Sequence, residues 1–249
     1  MINLQVMTKH LPNFITSLNL VSGFFSILFA LNGFPLIASW LIIAAMVFDF
    51  FDGFSARLLK AYSDTGKELD SLADVVSFGV APATIIFHYL SVAIGITGQI
   101  DVNALSFPNC FLLAVPAIMP VFAAIRLARF NTDDTQKDSF KGLASPASAL
   151  AVVSLALALE CTNSGFSQKI LGTITGNTIL TIVLSFLMVC RLPMISLKFH
   201  DMNLKGNWDR YLLIICIALM ILLFGFKAAP FMIPIYIAIS IISVLAPRK

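Results

Sequence analysis

The sequence predicts an all-α fold, a polytopic transmembrane helix bundle of about eight spans. Of its 249 residues, 59% are hydrophobic and 12% are charged, and the mean hydropathy is +0.93. A soluble chain carries about 25% charged residues, roughly twice as many. These values exclude a soluble globular enzyme, a disordered chain and a secreted disulfide scaffold.

The apolar stretches are long enough to cross a membrane as helices. We place them at about residues 16–34, 35–60, 71–97, 108–130, 143–161, 170–190, 208–226 and 228–246. Helices are expected because the bilayer offers no water to satisfy backbone groups, and the runs are too long for barrel strands. The sequence shows no internal repeat and no interdomain linker, so we treat residues 1–249 as a single integral membrane domain.

Basic residues lie mostly on one side of this arrangement. Fourteen of the 16 Lys and Arg residues fall on the side that carries both termini, and only Lys169 and Lys227 fall on the other. Positive charge accumulates on the cytoplasmic side of membrane proteins. We therefore expect a multi-pass protein of the inner (cytoplasmic) membrane with both termini in the cytoplasm.

Four aspartates interrupt the apolar pattern at the cytoplasmic ends of two consecutive spans. Asp49 and Asp52 end the run SWLIIAAMVFDFFDGF, and Asp70 and Asp74 open the next span. A carboxylate at the centre of a membrane helix costs about 2.5 to 3.5 kcal/mol, so these groups need a partner. At about 100° per residue, each pair shares a helix face with small or polar residues. These are Gly53, Ala56 and Arg57 on the first helix, and Ser77 and Ala81 on the second.

Two antiparallel helices with a short connection would bring the four carboxylates together, and their charges would repel. One or two divalent cations would neutralise them, and oxygen ligands without His or Cys nearby favour Mg²⁺, Mn²⁺ or Ca²⁺ over zinc. Gly53 and Ala56 leave a slot beside the metal that suits a metal-bridged diphosphate. The alternative is structural: the aspartates pair with arginines of the bundle, and the candidates are Arg57, Arg126 and Arg129.

The segment from Asp49 to Asp74, DFFDGFSARLLKAYSDTGKELDSLAD, fits the pattern D-x2-D-G-x2-A-R-x8-G-x3-D-x3-D at every fixed position. This pattern is the signature of the CDP-alcohol phosphatidyltransferases, and the chain resembles that family. Four further stretches are similar to bacterial and archaeal membrane-embedded members that act on serine: LPNFITSLNLVSG, ELDSLADVVSFGVAPA, RLARFN and FKGLASPASA. One departure is Ala144, where those members usually carry proline.

The resemblance covers about residues 1–150, and it implies that residues 151–249 add further transmembrane helices to a family core. It implies transfer of the phosphatidyl group of CDP-diacylglycerol to the hydroxyl of L-serine, with release of CMP. One or two Mg²⁺ or Mn²⁺ ions are the implied cofactor. The expected partners are these two substrates and the lipid bilayer but no nucleic acid, and a homodimer is left open.

The resemblance also implies a role for each matching residue. The metal ligands would be the four aspartates of the motif, and Asp74 would also be the general base. The CDP-diacylglycerol-binding residues would be Asn13, Thr16, Asp52, Gly53, Ala56, Arg57, Gly66 and Asp70.

The serine-binding residues are inferred from chemistry rather than from the motif. Arg126 and Arg129, three residues apart near a helix end, would form a planar clamp for the serine carboxylate. Ser77, on the same predicted face as Asp74, would contact the acceptor. The alternatives are that the arginines extend to lipid headgroups and that Ser77 serves helix packing.

Two other functions remain open at this stage. A member of the same family with another acceptor, such as glycerol phosphate, inositol phosphate or choline, would share the motif. A phosphate-bearing acceptor would require more basic side chains at its binding site than Arg126 and Arg129 provide. A divalent-cation transporter would use the aspartates as an ion path, but these carboxylates cluster on one side of the membrane.

Overall fold

The computed structural model describes residues 4–96, 98, 105–132, 140–195 and 204–245. Within these ranges the chain is almost entirely helical, which confirms the predicted all-α class. The α-helices are α1 (Leu4–Leu31), α2 (Pro35–Leu58), α3 (Asp64–Asp74), α4 (Ala81–Ala93), α5 (Phe107–Ala114), α6 (Ile118–Thr132), α7 (Ser145–Thr162), α8 (Gly165–Leu171), α9 (Ile174–Val189), α10 (Leu204–Phe224) and α11 (Met232–Leu245). Two dipeptides, β1 (Phe140–Lys141) and β2 (Pro193–Met194), pair antiparallel.

Three pairs of consecutive helices are joined by other helical segments rather than by loops. A π-helical segment, Val75–Val80, connects α3 to α4. Segments of 3-10 helix connect α5 to α6 at Val115–Ala117 and α10 to α11 at Gly225–Phe231. Because of the first connection, Asp64–Ala93 forms one long helical span.

The described helices establish a multi-pass membrane protein. Six helical runs in the described ranges are long and apolar enough to cross a bilayer, and α8 with α9, which meet at 83°, make a seventh if they form one broken span. The last run, Arg210–Ser243, contains parts of both α10 and α11. Leu213 and Ile239 from these two helices share a buried cluster, although 26 residues of straight helix would separate them by about 39 Å. The chain therefore reverses between them, in agreement with eight predicted spans.

The first two helices form a tight antiparallel hairpin. Gly33 adopts a left-handed φ of 83° in the turn between them. Below the turn, the buried Ser26 hydroxyl donates a hydrogen bond of 2.9 Å to the carbonyl of Ala38, which is itself fully buried. Small side chains at the contact let the two backbones approach closely. This hairpin places Thr16 of α1 and Asp52, near the far end of α2, in the lining of one cavity.

The third helix begins at a side-chain cap. The Ser63 hydroxyl accepts a hydrogen bond of 3.0 Å from the Gly66 amide, which satisfies one of the free N–H groups of the first turn. After Asp74 the helix widens into the π-helical segment, so the α-helical stripe predicted from Asp70 to Ala81 loses its register. Ser77 lies in that segment, fully buried, and its hydroxyl donates to the Asn19 carbonyl at 3.0 Å.

Two backbone hydrogen bonds link the residues just before α7 to the C-terminal end of α9. The Gly142 amide donates to the Leu192 carbonyl and the Leu143 amide donates to the Leu187 carbonyl, each at 2.8 Å. Gly142 has a φ of 80°, and a Cβ added there would lie 2.6 Å from the Met188 carbonyl oxygen. Glycine is required at this position because the neighbouring atoms belong to the backbone and cannot rotate away.

Replacing Gly142 with Ala should therefore destabilise the protein. Both the left-handed φ and the collision with carbonyl oxygens oppose a side chain, and we expect a loss of about 1 to 3 kcal/mol. The thermal unfolding midpoint in detergent measures the effect. Gly165→Ala is the matched control, since no atom lies within 4 Å of the added Cβ. Equal midpoints for the two variants would contradict the constraint on Gly142.

Candidate active site

The four predicted aspartates meet between α2 and α3. Asp49 and Asp52 lie in the last turns of α2, and Asp70 and Asp74 lie in the second half of α3. Carboxylate oxygens of Asp49, Asp70 and Asp74 all lie within 4.8 Å of one another. Asp74 and Asp52 are only 8% and 5% exposed, so the cluster sits inside the bundle rather than on its surface.

These carboxylates fit a divalent cation. Asp52, Asp70 and Asp74 each have one buried carboxylate oxygen that finds no hydrogen-bond donor in the described part of the chain. Buried anions without a donor or a counter-ion are strongly unfavourable. A hard divalent ion takes carboxylate oxygens as ligands and removes the mutual repulsion, so the residues present can hold one.

Arginines provide little of the neutralising charge. The Arg57 guanidinium is exposed, and its Nε donates to the Gly53 carbonyl of its own helix at 2.9 Å. Arg129 is also exposed. Arg126 is partly buried, and its Nη1 donates to the Ser145 hydroxyl. Asp52, Asp70 and Asp74 each keep a buried oxygen without a donor in the described part of the chain, so arginine pairing does not account for these oxygens.

A cavity of about 450 Å³ opens beside the cluster. It lies between α1, α2, α3 and α6, and it reaches Asp52 and Asp70 at its inner end. All eight residues predicted to bind CDP-diacylglycerol line this one cavity, namely Asn13, Thr16, Asp52, Gly53, Ala56, Arg57, Gly66 and Asp70. Residues distant in the sequence thus form one continuous wall next to the candidate metal site.

Close packing explains the glycine in the first turn of α3. A Cβ added at Gly66 would lie 2.8 Å from Asn13 Oδ1 and 2.9 Å from Ser63 Oγ. Glycine therefore lets α3 approach α1, while its backbone amide forms the capping bond to the Ser63 hydroxyl.

Sequence reasoning missed several residues of the same cavity. Tyr62 and Phe130 supply aromatic surface, and Lys67 supplies a second positive charge beside Arg57. The Lys67 ammonium also donates to the Asn131 carbonyl at 3.3 Å, which links α3 to α6. Lys67 could have been predicted from its position one residue after the motif glycine, Gly66. Phe130 could not, because it reaches the cavity only through the packing of α6 beside α3.

The sequence profile of the CDP-alcohol phosphatidyltransferase family matches residues 9–189. The chain belongs to the CDP-alcohol phosphatidyltransferase family. The match includes every residue of the cavity, and it extends beyond residue 150 to the end of α9.

Relatives from distant organisms share a single name, CDP-diacylglycerol–serine O-phosphatidyltransferase. The protein from Helicobacter pylori is 32% identical over 213 residues, which are 86% of this chain and 81% of the relative. The protein from Mycobacterium leprae is 36% identical over 217 residues, 83% of this chain and 63% of the relative. The protein from Methanocaldococcus jannaschii is 34% identical over 179 residues, 72% of this chain and 70% of the relative.

The three residues predicted to bind serine have different surroundings. Arg126 is partly buried and donates from Nη1 to the Ser145 hydroxyl at 3.2 Å. Arg129 is exposed, so the structure does not bring the two guanidinium groups together as a buried clamp. The Ser77 hydroxyl is occupied by the Asn19 carbonyl.

A separate polar group lies far from the aspartates. The Tyr89 hydroxyl donates to Glu160 Oε1 at 2.8 Å, and the rings of His88 and Tyr89 make an edge-to-face contact. Tyr89 follows Asp74 by 15 residues in one helical run, which corresponds to about 22 Å. Glu160 is therefore a carboxylate outside the candidate metal site.

We expect Mn²⁺ to raise the thermal unfolding midpoint of the wild-type protein and Asp70→Asn to reduce this shift. A ligand that binds only the folded state stabilises it by about 2.7 kcal/mol at 100 times its Kd, and each tenfold loss of affinity removes about 1.4 kcal/mol. Losing one of three clustered carboxylates should weaken binding at least about tenfold. Glu160→Gln, at the distant polar group, is the control and should keep the full shift. A full shift in Asp70→Asn would exclude Asp70 as a ligand.

Proposed function

We propose that the chain is a CDP-diacylglycerol–serine O-phosphatidyltransferase, which transfers the phosphatidyl group of CDP-diacylglycerol to the hydroxyl of L-serine and releases CMP. The observation that carries the proposal is the cavity in which eight residues expected to bind the donor adjoin the carboxylate cluster. The shared name of relatives from two bacteria and an archaeon supports serine as the acceptor.

In the proposed reaction the serine hydroxyl oxygen attacks the phosphorus of the phosphatidyl group. The new O–P bond forms while the bond from that phosphorus to the bridging oxygen of CMP breaks. CMP leaves with the electron pair of that bond, and the hydroxyl proton passes to a carboxylate of the enzyme. The protein must therefore neutralise a diphosphate, hold the acceptor in line and accept one proton.

The residues of the site divide these tasks. The four aspartates would hold one or two Mg²⁺ or Mn²⁺ ions, which when bound neutralise charge on the diphosphate. Arg57 and Lys67 add positive charge from the cavity wall. Gly53 and Ala56 have little bulk and leave room for the nucleotide and its diphosphate against α2.

Asp74 is the proposed general base. It lies one turn beyond Asp70 at the inner end of the site, and it is 8% exposed. Because Asp74 is buried, water is kept away from the proton transfer. Its neighbour Arg126 offers a positive charge on the same side, where it can receive the carboxylate of an amino-acid acceptor.

We propose the inner (cytoplasmic) membrane as the location, with both termini in the cytoplasm. The support is the charge distribution, with 14 of 16 basic residues on the side that carries the termini. The site then opens toward the compartment that contains free serine and receives CMP. Homodimer formation stays a prediction.

Purified protein with CDP-diacylglycerol and Mn²⁺ should release CMP when serine is added. Glycerol phosphate, inositol phosphate and choline serve as the comparison acceptors, and CMP release is measured for each. Excess EDTA should abolish turnover, because the carboxylate cluster alone repels a diphosphate. If another acceptor is used in preference to serine, the proposed acceptor is wrong but the family assignment stands. Full turnover in EDTA would contradict the metal-dependent reaction.

Asp74→Asn should lower kcat by at least about a hundredfold, because the amide cannot accept the hydroxyl proton. Binding of CDP-diacylglycerol in the presence of Mn²⁺, measured by calorimetry, should persist. Asp64→Asn at the exposed start of the same helix is the control and should keep near-normal kcat. Near-normal kcat in Asp74→Asn would exclude it as the base, and loss of donor binding would make it chiefly a metal ligand.

A further inference from the structure

Asn19, in the middle of α1, has a buried amide that no step of the proposed reaction uses. The side chain is fully buried, and neither Oδ1 nor Nδ2 has a hydrogen-bond partner in the described part of the chain. Asn177, which is equally buried, donates twice from Nδ2 to backbone carbonyls. Buried polar side chains nearly always have a partner, and leaving one unpaired is unfavourable. The Asn19 amide therefore has the capacity to bind a ligand.

Contacts between α1 and α3 place Asn19 at the level of Asp74. A Cβ added at Gly66 would lie 2.8 Å from Asn13 Oδ1, so these two positions face each other. Six residues further along α1, the Asn19 carbonyl accepts a hydrogen bond of 3.0 Å from the Ser77 hydroxyl. The two helices therefore run in the same direction. Counting six residues from Gly66 gives position 72, so Asn19 lies level with positions 72 to 77, an interval that includes Asp74.

Contacts with α6 place Arg126 at the same level. Asn131 Nδ2 donates to the Ser71 hydroxyl at 2.8 Å, and a Cβ added at Gly79 would lie 3.1 Å from the Ala123 Cβ. The helical run from α3 through the π-helical segment is thus antiparallel to α6, and the midpoint of the two contacts pairs position 75 with position 127. Arg126 therefore lies within about two residues, or about 3 Å along the helix axis, of the proposed base.

Asp74 occupies the part of α3 between the sides that face α1 and α6. At about 100° per residue, it lies about 80° from Gly66, which contacts α1, and about 20° from Lys67 on the same side. Lys67 contacts α6 through its hydrogen bond to the Asn131 carbonyl. Directly after Asp74 the helix becomes π-helical, a distortion that is frequent at functional sites. The proposed base thus lies between the helix that carries Asn19 and the helix that carries Arg126.

We propose that Asn19 binds the acceptor: its Oδ1 accepts a hydrogen bond from the ammonium group of the amino acid, while Arg126 binds the carboxylate. This inference rests on the proposed serine transferase function. Arg126 Nε is buried and has no acceptor in the described part of the chain. An unused acceptor on α1 and an unused donor on α6 therefore lie at the level of Asp74, and a zwitterionic amino acid matches both.

This arrangement gives the site a physical basis for selecting an amino acid. With its ammonium on one helix and its carboxylate on the other, serine would hold its hydroxyl toward Asp74. An acceptor without an ammonium group would leave the Asn19 amide buried and unpaired. Sites built to hydrogen-bond one substrate group discriminate strongly against analogues that lack it.

The test compares Asn19→Leu with the wild-type protein in the CMP-release assay. Leucine keeps the branched shape of asparagine and removes both polar atoms. We expect the KM for serine to rise at least about tenfold, as for loss of a hydrogen bond to a charged group, while the KM for CDP-diacylglycerol stays within about twofold. The competitor 3-hydroxypropionate has the hydroxyl and carboxylate of serine but no ammonium group. Its inhibition constant should stay within about twofold of the wild-type value, because it makes no contact with Asn19.

Unfolding measurements separate a binding role from a structural one. Because the Asn19 side chain has no partner in the described residues, Asn19→Leu should leave the thermal unfolding midpoint unchanged or raise it. Ser26→Ala is the matched control on the same helix, because the Ser26 hydroxyl donates to the Ala38 carbonyl at 2.9 Å. It should lower the midpoint and leave both KM values unchanged. Asn19→Ala, which adds no bulk, should raise the serine KM in the same selective way as Asn19→Leu.

The outcomes distinguish this inference from the proposed function. If the wild-type protein uses serine, an unchanged serine KM in the Asn19 variants or an equal rise of both KM values would overturn the acceptor role and leave the transferase intact. The same holds if the inhibition constant of 3-hydroxypropionate rises as much as the serine KM, or if both Asn19 variants lose as much stability as Ser26→Ala. No CMP release from the wild-type protein with serine would overturn both proposals. A selective rise of the serine KM in both Asn19 variants, but not in Ser26→Ala, supports the contact with the ammonium group.

Discussion

The repulsion among four carboxylates inside an apolar bundle is the constraint on which the rest of this structure depends. Oxygens from three of them lie within 4.8 Å of one another, and unscreened negative charges at that distance oppose folding strongly in a low-dielectric interior. A divalent cation would remove this repulsion, because hard cations take carboxylate oxygens as ligands. The arrangement is therefore suited to a metal ion.

Contacts between the surrounding helices maintain this arrangement. The α1–α2 hairpin is closed by Gly33 and by small buried side chains, and Thr16 and Asp52 from its two helices line the same cavity. The start of α3 is capped by Ser63, and Gly66 lets that helix approach Asn13 of α1. The contact of Gly66 with Asn13 and Ser63 has little tolerance for added volume, and all three residues line the cavity. Precise helix packing therefore serves the site directly.

The entry to α7 connects separate parts of the bundle. Backbone bonds from Gly142 and Leu143 to the end of α9 fix where α7 begins, and Ser145 at that start contacts Arg126 of α6. The C-terminal hairpin packs on the same core through Ile233, although it lies outside the family match. Elements that are distant in the sequence therefore support one core.

The sequence by itself predicted the membrane class, about eight spans and the eight residues that line one cavity. Hydropathy and the spacing of the aspartate motif suffice there, because all but two of the eight predicted donor residues lie within 26 consecutive positions whose helical periodicity sets their faces. The tertiary structure decided the rest. Ser77 of the π-helical segment is buried against Asn19, and helix packing leaves Arg126 partly buried and Arg129 exposed although they lie three residues apart on one helix. Lys67 donates to the Asn131 carbonyl across 64 residues of sequence, and only the folded bundle brings two such distant positions together.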